Sequence, residues 1–330
     1  MAVLVTGATG FLGSHLCRAL LDAGADVVAT GRNQRLLAKL ETRGLRSVAL
    51  DLSQPVSPTD IDRIGPLDAI VHCAGLSSPW GRSAAFSAAN VVATSHIADL
   101  AKVAGVTRCV MISTASVYFR FADQDNLPET HSLPPPVNAY ARTKRQAEQV
   151  ILERGDIGPV VLRPRGIYGA GDTALLPRLL RVARHRALPR FSCAGATDIT
   201  HVDDVVAAIL SALAAGPAIT GEVINITGGV GLPLPDIITA ACDLTGVRPR
   251  WRQMPFGPAL AATRAIEAVA KTLPGRPEPP VTAYALGILR YRQTLDIGKA
   301  ARLLGWSPQV SFAEGLQRTF KDGAQRPGVL

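Results

Sequence analysis

The sequence predicts an α/β protein: a Rossmann-like, doubly wound parallel sheet with a smaller, mostly helical C-terminal substrate lobe. Three observations predict it. Short β-rich apolar runs alternate with helical patterns through the first half of the chain. A glycine-rich turn, Thr6-Gly7-Ala8-Thr9-Gly10-Phe11-Leu12-Gly13, directly follows the first of these runs and opens a helix. A tyrosine and a lysine, Tyr140 and Lys144, stand at i and i+4 in a later helical segment. Strands separated by helices need a sheet covered on both faces, which makes that sheet parallel.

The elements follow in order. Val3–Thr6 reads as a strand, and Gly10–Ala23 as a helix with Leu12, Leu16 and Leu20 on one stripe. Asp26–Thr30 is the second strand, followed by a polar helix over Arg35–Thr42. Ser47–Leu50, Ala69–Cys73, Cys109–Ser113 and Val160–Arg163 read as further buried strands, with helices over Ala84–Val103 and Ala139–Arg154 between the later ones. Asp203–Ala215 (helix) and Glu222–Ile226 (strand) return to the main sheet. The expected nucleotide-binding domain is therefore 1–168 plus about 198–228. The expected substrate lobe is about 169–197 plus 229–330, with helical patterns at Pro235–Thr245, Pro258–Thr272, Lys299–Gly305 and Phe312–Phe320. Leu133–Val137, with three consecutive prolines, is a stiff extended lead into the helix that carries Tyr140.

Composition narrows the function classes. The chain has 330 residues, 47% of them apolar, enough for a large core. No run reaches the roughly 18 apolar residues of a membrane span, and the chain opens on a strand and not on a secretory leader. A cytoplasmic protein without stable membrane insertion is expected. Cys17, Cys73, Cys109, Cys193 and Cys242 show no CxxC spacing, so buried reduced thiols and no metal site are expected. The net charge is +9, but the arginines are dispersed without interleaved aromatics. This disfavours nucleic-acid binding and suits attraction of anionic cofactors and substrates.

A glycine turn between a strand and a helix lets the backbone approach a pyrophosphate, and the helix end offers free N–H groups and a positive dipole. Gly7, Thr9, Gly10, Phe11, Leu12 and Gly13 are the residues placed there; the spacing is GxxGxxG. Cofactor specificity is read after the second strand, where an NAD site wants an acid for the ribose hydroxyl. Here the chain runs Thr30-Gly31-Arg32-Asn33. A guanidinium suits a 2′-phosphate by charge and by bidentate geometry, so NADP is preferred to NAD. Asp51 and Leu52 close the third strand, where an adenine can rest. Cys73, Ala74 and Gly75 close the fourth and can flank the cofactor. His72 beside them reads as structural.

Tyr140 and Lys144 share one helix face behind Asn138, a good N-cap. A phenol is a poor acid or base near neutrality, and a neighbouring ammonium and a cofactor cation would lower its pKa. Met111-Ile112-Ser113-Thr114-Ala115-Ser116-Val117-Tyr118 ends the fifth strand at the carboxyl edge, where open α/β sheets bind ligands.

These motifs resemble those of the extended short-chain dehydrogenase/reductase superfamily, the NAD-dependent epimerase/dehydratase type. The likeness runs from TGATGFLG through HCAG (72–75), the Asn90 segment, STASVY (113–118), YARTK (140–144), LRPRGIYG (162–169) and HVDDV (201–205) to LGWSP (304–308). The resemblance implies Tyr140 as acid/base, Lys144 on the nicotinamide ribose, Thr114 as the hydroxyl partner, Asn90 in a water and proton relay, and Ser113, Pro164, Gly166 and Ile167 beside the cofactor. It also implies a homodimer through the helices of Ala84–Val103 and Ala139–Arg154. Within the superfamily the chain is most similar to the 3β-hydroxysteroid dehydrogenase-like branch. Gly166 stands where many sugar-nucleotide enzymes have Asn, and Ala115-Ser116 where dehydratases have Asp-Glu. The expected reaction is NADP-dependent interconversion of a secondary alcohol and a ketone on a fairly apolar small molecule, steroid-like or of the β-keto/β-hydroxy type. A nucleotide-sugar epimerase or reductase and a non-catalytic NADP-binding redox sensor are the alternatives.

The segment Phe256–Ala270 is more apolar than one buried stripe needs. Packing inside the small lobe is the first expectation; an apolar pocket wall is the second, and a membrane surface or partner the third.

Overall fold

The computed structural model describes residues 1–322. β1 (Ala2–Thr6) leads through the glycine turn into α1 (Phe11–Asp22). β2 (Asp26–Gly31), α2 (Gln34–Glu41), β3 (Arg46–Ala49), α3 (Pro58–Ile64) and β4 (Ala69–His72) follow. A short α4 (Ser83–Phe86) passes through a π-helical turn (Ser87–Val92) into α5 (Ala93–Val103). The single helix expected over Ala84–Val103 is thus interrupted by a wider turn, and Asn90 lies within it. Next come β5 (Cys109–Ile112), β6 (Gln124–Leu127), α6 (Ala139–Leu152), β7 (Pro159–Pro164) and β8 (Ile167–Tyr168). α7 (Leu176–His185), β9 (Leu188–Arg190), β10 (Ala196–Thr197), β11 (Thr200–His201), α8 (Val202–Ala214) and β12 (Val223–Ile226) come after. The remainder is β13 (Leu232–Pro233), α9 (Leu234–Leu244), β14 (Trp251–Gln253), α10 (Phe256–Thr272), α11 (Ala283–Arg290), β15 (Gln293–Leu295), α12 (Gly298–Leu304) and α13 (Phe312–Gln317).

The central sheet has seven parallel strands in the order β12-β7-β5-β4-β1-β2-β3. Its strands are apolar on both faces because both are covered. Val3 and Val5 point into one core layer with Leu16, Leu20 and Ile209. Leu4 points into the other with Ile97, Met111 and Ile151. Strand order reverses between β1 and β4, so the carboxyl ends of these strands open the crevice in which such sheets bind ligands.

The smaller lobe contains strands as well as helices. β13, β10, β15 and β6 form a mixed four-stranded sheet, and β9 pairs with β14. β6 reaches this sheet from the first half of the chain. The last residues of the expected lobe, 323–330, lie outside the described residues.

Two expectations need correction. Cys193 is exposed, in the loop between β9 and β10, and does not share the buried state of Cys17, Cys109 and Cys242; all five thiols are free. α10 packs only part of its apolar surface into the lobe. Phe256 stands edge-on to Phe191 and Tyr291, and Thr263 and Ala270 are buried, while Ile266 and Val269 are 51% and 59% exposed. The reason lies in the arrangement of the faces. Arg264, Glu267 and Lys271 face a cavity shared with α11, and Ala265, Ile266, Val269 and Leu273 face outward with Pro277, Pro279 and Pro280.

Candidate active site

The glycine turn is built for close approach. Gly7 has φ +65°, and a Cβ there would stand 2.8 Å from the Ala74 amide nitrogen. A Cβ on Gly13 would meet the Gly7 carbonyl oxygen at 2.2 Å, so α1 can seat on the turn only with glycine at that position. Gly10 caps α1 without a side-chain hydrogen bond, and no acid occupies the first turn. The amide end of α1 is therefore open to an anion. Thr6 at the end of β1 ties this turn to the end of β4: its Oγ1 accepts from the Ala74 amide at 3.1 Å and pairs with His72 Nδ1 at 2.8 Å. His72 Nε2 meets Thr94 Oγ1 at 3.1 Å, and burial pushes the imidazole down to about 3. This agrees with its structural reading. A dinucleotide fits this cradle, because the glycines let the turn close against β4 and α1 while the amide end of α1 stays open to its pyrophosphate.

Arg32 leaves β2 into solvent and has no carboxylate within ion-pair distance among the described residues; its neighbour Asn33 caps α2 by accepting from the Leu36 amide at 3.1 Å. The exposed Asp51 carboxyl is held low by hydrogen bonds from Ser53, with the Arg32 charge contributing. Leu52 is buried, and its carbonyl accepts from His96 Nδ1 at 2.9 Å. At the far side, Gly166 follows β7 with φ +51°, and a Cβ there would meet Ile199 Cγ2 at 2.8 Å. The local backbone and Ile199 account for this glycine, independently of any substrate. Pro164 and Ile167 flank it as the last residue of β7 and the first of β8.

Tyr140 and Lys144 lie on the inner face of α6, whose N-cap Asn138 accepts from the Ala141 amide at 2.8 Å. Tyr140 is half-buried, with its hydroxyl beside the side chains of Ser77 and Thr114. Burial raises its pKa, and these two neighbouring hydroxyls oppose the rise. Lys144 Nζ donates to the Ile112 carbonyl at 2.6 Å. Burial brings the ammonium down to about 8, against the pull of Glu148 one turn further on. Glu148 is itself buried in an ion pair with Arg163 (2.9 and 2.7 Å) and accepts from Ser113 Oγ. This buried network fixes the end of β5 against α6, which sets Lys144 relative to Tyr140.

Asn90 is fully engaged. Its Oδ1 accepts from the Leu76 amide at 2.7 Å, and its Nδ2 donates to the Leu76 carbonyl (3.2 Å) and to Thr143 Oγ1 (3.0 Å). It clamps the loop after β4, with Cys73, Ala74 and Gly75, to α6. Thr114 Oγ1 accepts from the Ser116 amide and donates to Ser116 Oγ, both at 3.1 Å. Ser116 Oγ in turn meets the Tyr284 hydroxyl at 2.8 Å.

Beside these groups lies a cavity of about 530 Å³, with Trp80, Phe86, Phe121 and Tyr284 in its walls. Arg142, Arg264, Lys271 and Arg276 line it, against one acid, Glu267, whose Oε1 accepts from the Ala283 amide at 2.8 Å. None of the four cations has a carboxylate within ion-pair distance among the described residues. Sequence reasoning gives Ser77, Arg142 and Tyr284 no role in the site. Ser77 sits in a serine-proline loop, and Tyr284 arrives from a different lobe, so neither is marked by its neighbours in sequence as a partner of Tyr140.

Chemically, the arrangement offers a phenol that can exchange a proton with a substrate oxygen, a lysine beside it, an anion cradle at the head of α1, and an aromatic cavity with cations along its walls. The fold has counterparts among known proteins. The family model described as NAD dependent epimerase/dehydratase family matches residues 3–227. The 2-alkyl-3-oxoalkanoate reductase of Stenotrophomonas maltophilia is 32% identical, over 96% of this chain and 98% of its own. The decarboxylating sterol-4-alpha-carboxylate 3-dehydrogenase of Saccharomyces cerevisiae is 29% identical, over 96% of each. Among solved structures, the dTDP-glucose 4,6-dehydratase of Streptomyces venezuelae with NAD bound superposes with a TM-score of 0.77 at 27% identity, covering 99% of this chain and 98% of that one. These relatives agree with the resemblance to the 3β-hydroxysteroid dehydrogenase-like branch, and because the family model spans well over half of the chain, the chain belongs to the NAD dependent epimerase/dehydratase family.

Proposed function

We propose that the protein is an NADP-dependent oxidoreductase that interconverts a secondary alcohol and a ketone on a largely apolar molecule carrying an acidic group, of the β-keto/β-hydroxy acid or steroid-acid type. The observation that carries this reading is the Tyr140 hydroxyl, held by Thr114 and Ser77 next to a cavity with aromatic walls. Such pockets bind apolar bodies and use a few polar groups to orient them. The unpaired cations of the cavity would hold a carboxylate, and a 3-oxoalkanoate reductase and a sterol-carboxylate dehydrogenase among the relatives support that choice.

In this reading Gly7, Thr9, Gly10, Phe11, Leu12 and Gly13 receive the pyrophosphate, Arg32 the 2′-phosphate, and Asp51 and Leu52 the adenosine end. Cys73, Ala74, Gly75, Ser113, Pro164, Gly166 and Ile167 border the rest of the cofactor. Bound nicotinamide supplies or accepts the hydride. Tyr140 gives its proton to the carbonyl oxygen in reduction and takes it back in oxidation. Thr114 holds that oxygen, Lys144 keeps positive charge beside the phenol, and Asn90 fixes the loop that faces them.

The cations suit a diphosphate as well, which keeps a nucleotide-sugar reading as the rival; several sugar-nucleotide enzymes share the fold. One experiment separates the readings: purified protein is offered NADPH or NADH with β-keto acids, keto-steroids and UDP-sugars, and nicotinamide absorbance and sugar products are followed. NADPH oxidation with the apolar keto acids is expected. Turnover of UDP-sugars alone would replace this reading with the rival, and cofactor binding without any turnover would favour a sensor.

A further inference from the structure

A phenol that has given its proton to a substrate must recover one. Lys144 spends one of its three donors on the Ile112 carbonyl, and both amide hydrogens of Asn90 are spent on Leu76 and Thr143. A continuous row of hydroxyls does leave the site in another direction. It runs from Thr114 to Ser116 (3.1 Å) and from Ser116 to Tyr284 (2.8 Å), whose ring lines the cavity.

Resting on the assignment of Tyr140 as acid/base, we propose that Tyr284, on α11 of the smaller lobe, is the outer end of a proton relay Tyr140–Thr114–Ser116–Tyr284. Each hydroxyl can accept one hydrogen bond and donate another, so the row can reverse its polarity without moving a heavy atom. In ketone reduction the O–H bond of Tyr140 breaks as its proton joins the carbonyl oxygen. The Thr114 proton then passes to the phenolate oxygen, the Ser116 proton to Thr114, the Tyr284 proton to Ser116, and a proton from cavity water to Tyr284. One solvent proton enters and no electron travels along the row; alcohol oxidation runs it backwards. The row is held in register at both ends. Thr114 Oγ1 accepts from the Ser116 amide, and the Tyr284 ring stands edge-on to Phe119 at 4.9 Å. Ser77, the other partner of the Tyr140 hydroxyl, is exposed on the loop after β4 and is the rival exit.

Tyr284→Phe keeps the ring and its stacking and deletes only the hydroxyl. With the β-keto acid that the wild type turns over best, kcat is expected to fall by about tenfold, less than the 10²- to 10⁴-fold of a direct acid/base group, because Tyr284 only resupplies the proton. KM for NADPH should hold, and the solvent isotope effect on kcat should rise. Ser116→Ala should do the same, and the double variant should be no worse than either single one, because one broken link already interrupts the row. Variants within about twofold of wild type with an unchanged isotope effect, or a loss confined to KM for the ketone, would overturn the relay. So would a loss produced by Ser77→Ala and not by these two. A wild type that reduces no ketone overturns the assigned reaction and the relay together, whereas an active wild type with unaffected variants overturns the relay alone.

Discussion

At the residue scale, Tyr140 and Arg32 carry the two sharpest expectations. Burial raises the Tyr140 phenol and lowers the Lys144 ammonium to about 8, so both groups are displaced toward their neutral forms. The phenol then holds its proton more tightly than in water, and the ammonium gives its proton up more readily. Tyr140→Phe removes the hydroxyl assigned to give a proton to the substrate oxygen. Its kcat should fall by about 10²- to 10⁴-fold, the range such catalysis supplies, while NADPH affinity from fluorescence titration stays near wild type. Near-normal turnover would remove Tyr140 from the mechanism. Arg32 is a separate matter, because it acts on the far end of the cofactor. A charge-assisted hydrogen bond contributes about 1.5–3 kcal/mol, so Arg32→Asp should lower NADPH affinity by about tenfold or more and spare NADH. A wild-type protein that binds NADH more tightly than NADPH would show that the exposed guanidinium has no phosphate to hold.

At the element scale, β4 shows how a strand end couples stability to pH. His72 is fully buried between Thr6 and Thr94, and its pKa is displaced from 6.5 to about 3. The folded state keeps the ring neutral while the unfolded chain protonates it. The contribution is therefore fully present above pH 6.5 and is lost progressively as pH falls from 6.5 toward 3. Urea unfolding across that window should show stability falling, and His72→Gln should flatten the slope; an equal slope in the variant would assign the acid limb to other groups. The same strand shows why part of the fold is legible in sequence. Ala69–Val71 is a continuous apolar run because both sheet faces are covered, and the strands beside it carry similar runs. The lobe strands do not. β6 reads Gln-Asp-Asn-Leu, with Asn126 at φ +51°, and gains its strand character from β15, far along the chain. Pairing of that kind leaves no period in either segment. The site divides in the same way. Tyr140, Lys144 and the glycine turn are visible because each lies within a few residues of its own helix start, whereas Ser77 and Tyr284 become neighbours of Tyr140 only through the fold. The outward apolar face of α10 also escapes a sequence reading, since composition does not tell which side of a helix the lobe will cover.

At the scale of the whole molecule, the cavity is assembled from both halves of the chain. Phe86, Asn138 and Arg142 come from segments around α4 and α6, and Arg264, Lys271 and Tyr284 from α10 and α11. Anything that steadies α6 therefore steadies one entire wall of the site. α6 spends its inner face on Tyr140, Lys144 and Glu148 and turns its outer side to solvent beside α5, to which Arg154 is tied by an ion pair with Asp99 at 2.5 Å. Val92, just before α5, and Val103, its last residue, are exposed. Two copies meeting through α5 and α6 about a two-fold axis would bury these valines and form a four-helix contact, the homodimer that the family resemblance implies. A stable contact of this kind covers about 800 Å² per partner. Sedimentation at about micromolar concentration, where standard-sized interfaces remain associated, should give a dimer. Val92→Glu should move it toward monomer, because a symmetric contact receives every substitution twice and a buried carboxylate would lack a partner. The bracing role adds a second measurement: specific activity should fall on dilution through the dissociation range and return when the protein is concentrated. A wild type that sediments only as monomer would remove the dimer, and a dimer with dilution-independent activity would leave the contact but detach it from the site.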